Sequence, residues 1–211
     1  MNYKTIAKNG IVEEEIKKSR FICQVKRVTT EEEAREFIAQ IKKEHYKATH
    51  NCSAFILGER STIKRTSDDG EPSGTAGVPM LNVLEQHDLT DICVVVTRYF
   101  GGIKLGAGGL IRAYGGAVAL AVKEIGAVEV KELSGLAVHL SYSQYQEFNN
   151  FLQEHGLQEH DPQFTDTVTS TLYLEEENIP SIQESLIEFY KGKVSFSQVD
   201  SQVVELPLPT N

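Results

Sequence analysis

The sequence predicts an α+β protein of two domains, and three patterns carry that reading. Segments that alternate apolar and polar residues, as strands do, are interspersed with segments whose apolar residues recur every three or four positions, as on amphipathic helices. In residues 135–211 these segments fall in the order β-α-β-β-α-β, the split βαβ of a ferredoxin-like sandwich. The charge also changes abruptly at Ser134-Gly135. Residues 1–134 carry a net +1 and residues 135–211 a net −10, within −9 for the 211-residue chain. The boundary read from that change gives domains 1–134 and 135–211.

Taken in order, Ile11–Ile16 and Arg20–Val28 read as strands. Thr30 with Glu33 has capping-box spacing and opens a helix on which Ala34, Phe37, Ile38 and Ile41 share a face. Asn51–Leu57 and Ser61–Thr66 read as a hairpin around Gly58-Glu59. The stretch 66–77 is long, polar and glycine-rich, the profile of a functional loop. A short helix over Val78–Gln86 follows, with Pro79 in its first turn. Ile92–Thr97 is an unbroken apolar run and reads as a buried central strand. A glycine loop, 98–109, then leads into a helix from Leu110 to Lys123, which puts Arg112 in its first turn.

In the second domain Gly135–Tyr142 alternates, with Leu136, Val138 and Leu140 on one face. Ser143 with Gln146 reads as a capping box for a helix carrying Phe148, Phe151 and Leu152 and stopping at Gly156. Strands follow at Leu157–Phe164 and Thr165–Leu174, the latter with Val168, Ser170 and Leu172 on one face. Asn178 is placed to cap a helix whose Ile182, Leu186 and Phe189 form one stripe, ending at Gly192. Lys193–Leu206 supplies the last strand, ended by Pro207 and Pro209.

Composition excludes several classes. A chain 40% hydrophobic and 24% charged is globular in character. No run approaches the ~18 apolar residues of a membrane span, and the charged N-terminus lacks the apolar stretch of a signal peptide. Cys23, Cys52 and Cys93 are odd in number and widely spaced, which fits neither a disulfide framework nor a zinc site and suits a reducing cytoplasm. The expected location is cytoplasmic, with no membrane partner. The acidic half is repelled by a phosphate backbone, so contact with nucleic acid falls to the first half, or the second makes it through backbone and polar groups.

Ten of the 16 glycines lie between Gly70 and Gly116. A strand, a glycine-rich loop and a helix N-terminus make an anion site, because unpaired amides point outward and glycines permit close approach. Arg98 and Lys104 flank that loop, with Gly101, Gly102, Gly106, Gly108 and Gly109 between and after them, and Arg112 beyond. These eight residues are the candidate anion or nucleic-acid site. The bland alternative is that the glycines serve turns and packing while Arg98 pairs with Asp68, Asp69 or Glu71. The spacing Gly106-x-Gly108-Gly109 matches neither a Walker A motif nor a dinucleotide fingerprint.

Other constellations are thinner. His50 and Cys52 share a strand face, so Cys52 can be drawn as a nucleophile, but a small thiol on a strand is ordinarily core filler. Asp68, Asp69 and Glu71 offer oxygen ligands to a divalent metal, or simply pair with arginine. With His50 these three acids are read as partners in the loop. His87, His155 and His160 lack ligand spacing. Tyr99 and Phe100 can stack on bases or pack at a strand's end. No catalytic residue, metal or cofactor is assigned.

Three blocks resemble one family. They are Ala48-x-His50-Asn51-Cys52-x-Ala54, then Asp68-Asp69-Gly70-Glu71-Pro72-Ser73-Gly74-Thr75-Ala76-Gly77-x-Pro79, then Val95 through Tyr114 with its Arg98-Tyr99-Phe100-Gly101-Gly102-x-Lys104-Leu105-Gly106-x-Gly108-Gly109 centre. Together they are similar to the IMPACT/YigZ family, over essentially the whole chain. The resemblance implies a first domain like domain 2 of ribosomal protein S5 and a ferredoxin-like second domain like domain V of elongation factor G. It implies a link to translation, with RNA or the ribosome as target. Eukaryotic relatives act in a kinase pathway through an N-terminal RWD domain. The sequence shows no such domain before the shared one, so that role is not carried over.

The sequence reading is therefore a non-enzymatic regulator associated with translation, binding RNA or the ribosome through the glycine loop. Its acidic second domain is free to dock a protein partner. The rival readings are an enzyme acting on a small phosphorylated or carboxylated substrate and a pure protein-interaction module.

Overall fold

The computed structural model describes residues 2–209. The chain divides into two compact units, Met1–Val130 with Glu205–Asn211, and Lys131–Val204. The architecture is α+β throughout.

Unit 1 is built on a five-stranded antiparallel sheet in the order β2-β3-β6-β4-β5. Its strands are β2 (Gly10–Ile16), β3 (Ser19–Arg27), β4 (His50–Leu57), β5 (Ile63–Ser67) and β6 (Ile92–Tyr99). Helices cover both faces, which is why β6 reads as continuous apolar sequence. Helix α1 (Glu31–Glu44) lays Ala34, Phe37 and Ile41 against Phe55, Leu57, Cys93 and Val95. On the other face α2 (Gly77–Gln86) and α3 (Gly106–Ile125) pack onto Phe21, Cys52, Ala54, Val94 and Val96. Thr30 caps α1 by accepting from the Glu33 amide at 3.2 Å. The Glu33 carboxylate reaches back one residue further than a capping box requires, to the Thr29 amide at 2.7 Å.

Unit 2 follows the order β7-α4-β8-β9-α5-β10, with strands arranged β10-β7-β9-β8. These are β7 (Ala127–Leu140), α4 (Tyr142–His155), β8 (His160–Phe164), β9 (Val168–Leu174), α5 (Ile179–Phe189) and β10 (Ser195–Pro207). The core faces are those the alternation predicts: Leu136, Val138 and Leu140 from β7, with Val168 and Leu172 from β9, meet Phe148, Phe151, Leu152 and Leu186. Gly156 ends α4 in a left-handed conformation, φ 64°.

Several elements differ from the expectation. A short strand β1 (Asn2–Ile6) was not foreseen, and β7 begins before the foreseen Gly135. The capping box of α4 is Ser141 with Gln144, not Ser143 with Gln146. Asn178 stands at the cap position of α5 without a side-chain bond, because a 3₁₀ turn (Glu176–Asn178) feeds the helix instead. Helix α3 starts at Gly106 rather than Leu110, so Gly106, Gly108 and Gly109 are helical and Arg112 lies in the second turn. Among the described residues no helix is long and apolar enough to cross a membrane.

Candidate functional site

The end of β6 and the start of α3 frame the site in unit 1. The last residues of β6 pair with both neighbours, His50 opposite Arg98 on β4 and Phe21 opposite Arg98 on β3. This register brings His50 and Arg98 to the same end of the sheet. The loop between β5 and α2 folds back onto them.

That loop is organised by its carboxylates. Asp68 Oδ2 accepts from the Gly74 amide at 2.8 Å, while Oδ1 accepts from Ala76 at 3.1 Å and Gly77 at 2.8 Å. Burial works to raise the Asp68 pKa, but these amides together outweigh it and hold the group below its ordinary range. Asp69 Oδ2 accepts from the Asn51 amide at 2.7 Å and its Oδ1 meets Lys42 at 2.6 Å. The His50 ring nitrogen Nδ1 lies 2.9 Å from the Asp69 carbonyl oxygen.

Glu71 turns inward. Its side chain is 3% exposed and its Oε1 accepts from both Arg98 Nη1 and the Tyr114 hydroxyl at 2.7 Å. The second oxygen, Oε2, lies 3.6 Å from His50 Nε2. Arg98 is thus paired as the bland alternative held, with Glu71 as the partner among the three acids considered. Its guanidinium also reaches Ser19 Oγ at 3.4 Å and lies 5.5 Å from the Phe21 ring centre and 5.3 Å from that of Phe100. The Arg98 Nε is buried and has no hydrogen-bond acceptor among the described residues.

These contacts bear on the metal and nucleophile alternatives. Each of Asp68, Asp69 and Glu71 has donors already seated on it, which leaves no shared set of free oxygens to receive a cation. Among the described residues no group of three or more His, Cys, Asp or Glu side chains could hold a metal. Cys52 is buried, its S–H donates to the Asp68 carbonyl at 3.0 Å, and burial pushes its thiol up to about 12. That is the opposite of an activated nucleophile. Cys23 and Cys93 are likewise pushed up to about 12 by burial.

A cavity of about 420 Å³ opens beside this network, within the ~300–1,000 Å³ common for small-ligand sites. Pro72, Phe100, Leu105, Ala107 and Leu110 give it apolar walls, and Thr49, His50, Glu71, Arg98 and Lys104 supply its polar groups. Gly106, at the start of α3, closes one side. Helix α3 has no side-chain cap and no acidic residue in its first turn, so its own first turn offers no anion to its leading amides and positive dipole end. Lys104 is exposed and has no hydrogen bond or ion pair among the described residues.

Of the eight residues named from the sequence, Arg98, Lys104 and Gly106 line the cavity. Gly101 has a different task. A Cβ there would lie 1.9 Å from the Lys18 carbonyl oxygen, so its lack of a side chain lets the 98–106 segment press onto the β2–β3 turn. Its amide donates to Ser19 Oγ at 3.2 Å. Gly102 takes a positive φ, 85°. Gly109 makes room inside α3 for Leu105, whose Cβ would meet an added methyl at 2.9 Å. Gly108 and Arg112 are exposed on α3 outside the cavity lining.

Sequence reasoning missed Tyr114, Ser19, Thr49, Lys17 and Lys18. A tyrosine on the small-residue packing face of α3 is the signal that its hydroxyl needs a buried partner. Lys17 and Lys18 form the β2–β3 turn, both at positive φ, 47° and 64°. Lysine is an unusual choice there, since asparagine and glycine take that conformation at less cost. Their exposed ammonium groups stand on the turn that Gly101 packs against.

Comparisons with known proteins agree with the resemblance. The family model described as the Impact N-terminal domain matches residues 17–122, and a domain of unknown function (DUF1949) matches residues 138–193. The IMPACT family member YvyE of Bacillus subtilis is 46% identical over 204 residues, covering 97% of this chain and 94% of that protein. An IMPACT family member of Haemophilus influenzae is 38% identical over 192 residues, covering 90% of this chain and 93% of its own. The crystal structure of a protein described as hypothetical superposes with a TM-score of 0.60 at 32% identity, covering 94% of this chain and 98% of that one.

Proposed function

We propose that this chain, which belongs to the IMPACT family, is a non-enzymatic, cytoplasmic protein associated with translation that binds RNA or the ribosome through unit 1. The observation that carries the reading is the unpaired positive character where α3 begins. Lys104 lacks an acidic partner among the described residues, the first turn of α3 carries no acid, and the Lys17-Lys18 turn is seated directly on Gly101. Phosphate is the anion such an arrangement suits, with amides for its oxygens and ammonium groups for its charge. Arg98 contributes position rather than free charge, because Glu71 neutralises it.

The same reading takes unit 1 as a domain like domain 2 of ribosomal protein S5 and unit 2 as ferredoxin-like. The strand order β10-β7-β9-β8 with β-α-β-β-α-β connectivity supports the latter. The charge change at Ser134-Gly135 falls within β7. Net −10 on residues 135–211 keeps phosphate off the second domain and suits it to a protein partner.

The test is binding of purified protein to RNA and to ribosomes at two salt concentrations. It is run beside a variant in which Lys17, Lys18 and Lys104 are all changed to Gln. Each lost phosphate contact on a single strand lowers the slope of log affinity against log salt by about 0.7, so the variant's slope is shallower by about 2. Absence of binding at low salt, or an unchanged slope, removes this surface as the phosphate site.

A further inference from the structure

The cavity beside α3 has three unlike walls, and their combination is more selective than a phosphate alone requires. One end is electropositive through Lys104 and the uncapped start of α3, while Arg98, 94% buried and paired with Glu71, adds an Nε–H with no acceptor among the described residues. Leu105 and Leu110 give it an apolar floor, and the ring of Phe100, 46% exposed, adds a flat apolar surface. A third side is polar, with Thr49, His50 and the Glu71 carboxylate that Arg98 pairs. Inorganic phosphate leaves the apolar surface wet. A fatty carboxylate leaves the polar side unmatched.

Phe100 is held in a way that suits a stacking platform. Its amide donates to Thr49 Oγ1 at 3.1 Å, and the Arg98 guanidinium lies 5.3 Å from its ring centre, itself fixed by Glu71. An aromatic ring braced by a neutralised cation and still half-exposed offers a π-face without the entropy of ordering it.

We propose that this cavity takes one nucleotide: its phosphate meets Lys104 and the first amides of α3, its base stacks on Phe100, and its ribose faces Thr49 and His50. The inference rests on the phosphate reading of this end of unit 1 and names the unit that is bound. A nucleoside monophosphate reaches the site either free or as the end of an RNA strand, and the chemistry recognised is the same.

The test titrates the full chain with a free 5′-nucleoside monophosphate, with inorganic phosphate, and with a 5′-phosphorylated RNA tetranucleotide, following the base protons by NMR. The variants are Phe100→Leu, Phe100→Tyr and Lys104→Gln, with Lys123→Gln at the far end of α3 as a control. Stacking shifts the base protons upfield. Its loss in Phe100→Leu weakens binding by about tenfold, while Phe100→Tyr restores both affinity and shift. Lys104→Gln weakens the nucleotide and the inorganic phosphate alike.

If only the tetranucleotide binds, with the same Phe100 dependence, the cavity takes a strand end. If only the free nucleotide binds, the cavity assignment stands and the RNA reading of the protein fails. RNA binding that is indifferent to Phe100→Leu and to competing nucleotide overturns the cavity assignment and leaves the RNA reading intact. No binding of any probe overturns both. Because Phe100 is half-exposed, unchanged melting of Phe100→Leu separates lost stacking from lost folding.

Discussion

Removing Glu71 tests the central electrostatic claim, that Arg98 is held by a buried pair. The Glu71 side chain is 3% exposed and that of Arg98 6%, and they meet at 2.7 Å. In Glu71→Leu the guanidinium keeps Ser19 at 3.4 Å but no carboxylate, while its Nε already lacks an acceptor among the described residues. Breaking a buried pair from one side costs about 3–5 kcal/mol. The Tyr114 hydroxyl also loses its acceptor, a penalty of about 1–3 kcal/mol that overlaps the first. In the double variant Glu71→Leu/Arg98→Met the charge is gone as well, so only the tyrosine penalty remains, about 1–3 kcal/mol.

The double variant is therefore expected to be more stable than Glu71→Leu alone. Native-state hydrogen exchange at the Val94–Val96 amides reads this within unit 1, because these fully buried residues of the central strand open only with the unit. A loss of 3 kcal/mol raises their exchange by about 150-fold. A cost below about 1 kcal/mol for Glu71→Leu, or a double variant less stable than that single one, refutes the claim.

Gly101→Ala places a methyl 1.9 Å from the Lys18 carbonyl oxygen and must displace the 98–106 segment, whereas Gly102→Ala meets no atom within 4 Å and is disfavoured only by its φ of 85°. Thermal melts should rank Gly101→Ala clearly lower, by about 2 kcal/mol or more against about 1 for Gly102→Ala; equal effects refute the close approach. Asp68 has a folded pKa below its unfolded value, so its contribution is fully present above the unfolded pKa and is lost as pH falls through the folded one. Melting temperature measured from pH 6 downward should fall less steeply in Asp68→Asn than in the parent at the acid end, and parallel curves contradict the amide network. The three cysteines are all buried with thiols pushed up to about 12, so a thiol reagent at pH 8 should label them only at the rate of unfolding. Rapid labelling of Cys52 in the native protein reopens a nucleophile there.

The elements that were legible in the sequence are those whose burial is one-sided or complete. Ala34, Phe37 and Ile41 mark α1 because a single face of it is buried, and 92–97 marks β6 because both its faces are. The failures have equally local causes. In Ser141-Tyr142-Ser143-Gln144-Tyr145-Gln146 two serines each precede a glutamine by three residues, so the pattern allows two caps. The structure uses Ser141. Strand β1 buries only Thr5 and Ile6, too little for a periodic signal.

The start of α3 was obscured by composition. Gly106, Gly108 and Gly109 are poor helix formers and read as loop. Gly109 has Leu105 against it, Gly106 opens the helix at a positive φ of 72°, and the apolar face from Leu110 to Val122 outweighs the poor propensity of this first turn. The site was half legible for the same reason. Residue types raised the pairing of Arg98 with one of Asp68, Asp69 and Glu71, and grouped His50 with those acids as loop partners. They could not say that Arg98 is spent on Glu71, since an arginine beside three acids on one loop has several possible partners.

The two cations that the sequence sets six residues apart end up in opposite electrostatic situations, and the difference shapes what the site can do. Arg98 is buried and paired, so it adds little field beyond its own pair but braces Phe100 and leaves one N–H without an acceptor among the described residues. Lys104 is exposed and unpaired among the described residues, so it supplies the field and loses it to added salt. In the proposed reading the buried pair sets Phe100 in place for the ligand, and the exposed lysine attracts it. On the reading proposed above, that division lets a first domain of net charge only +1 take an anion. On that reading, exposed lysines beside a cavity whose buried charges cancel are enough, without a broad basic surface.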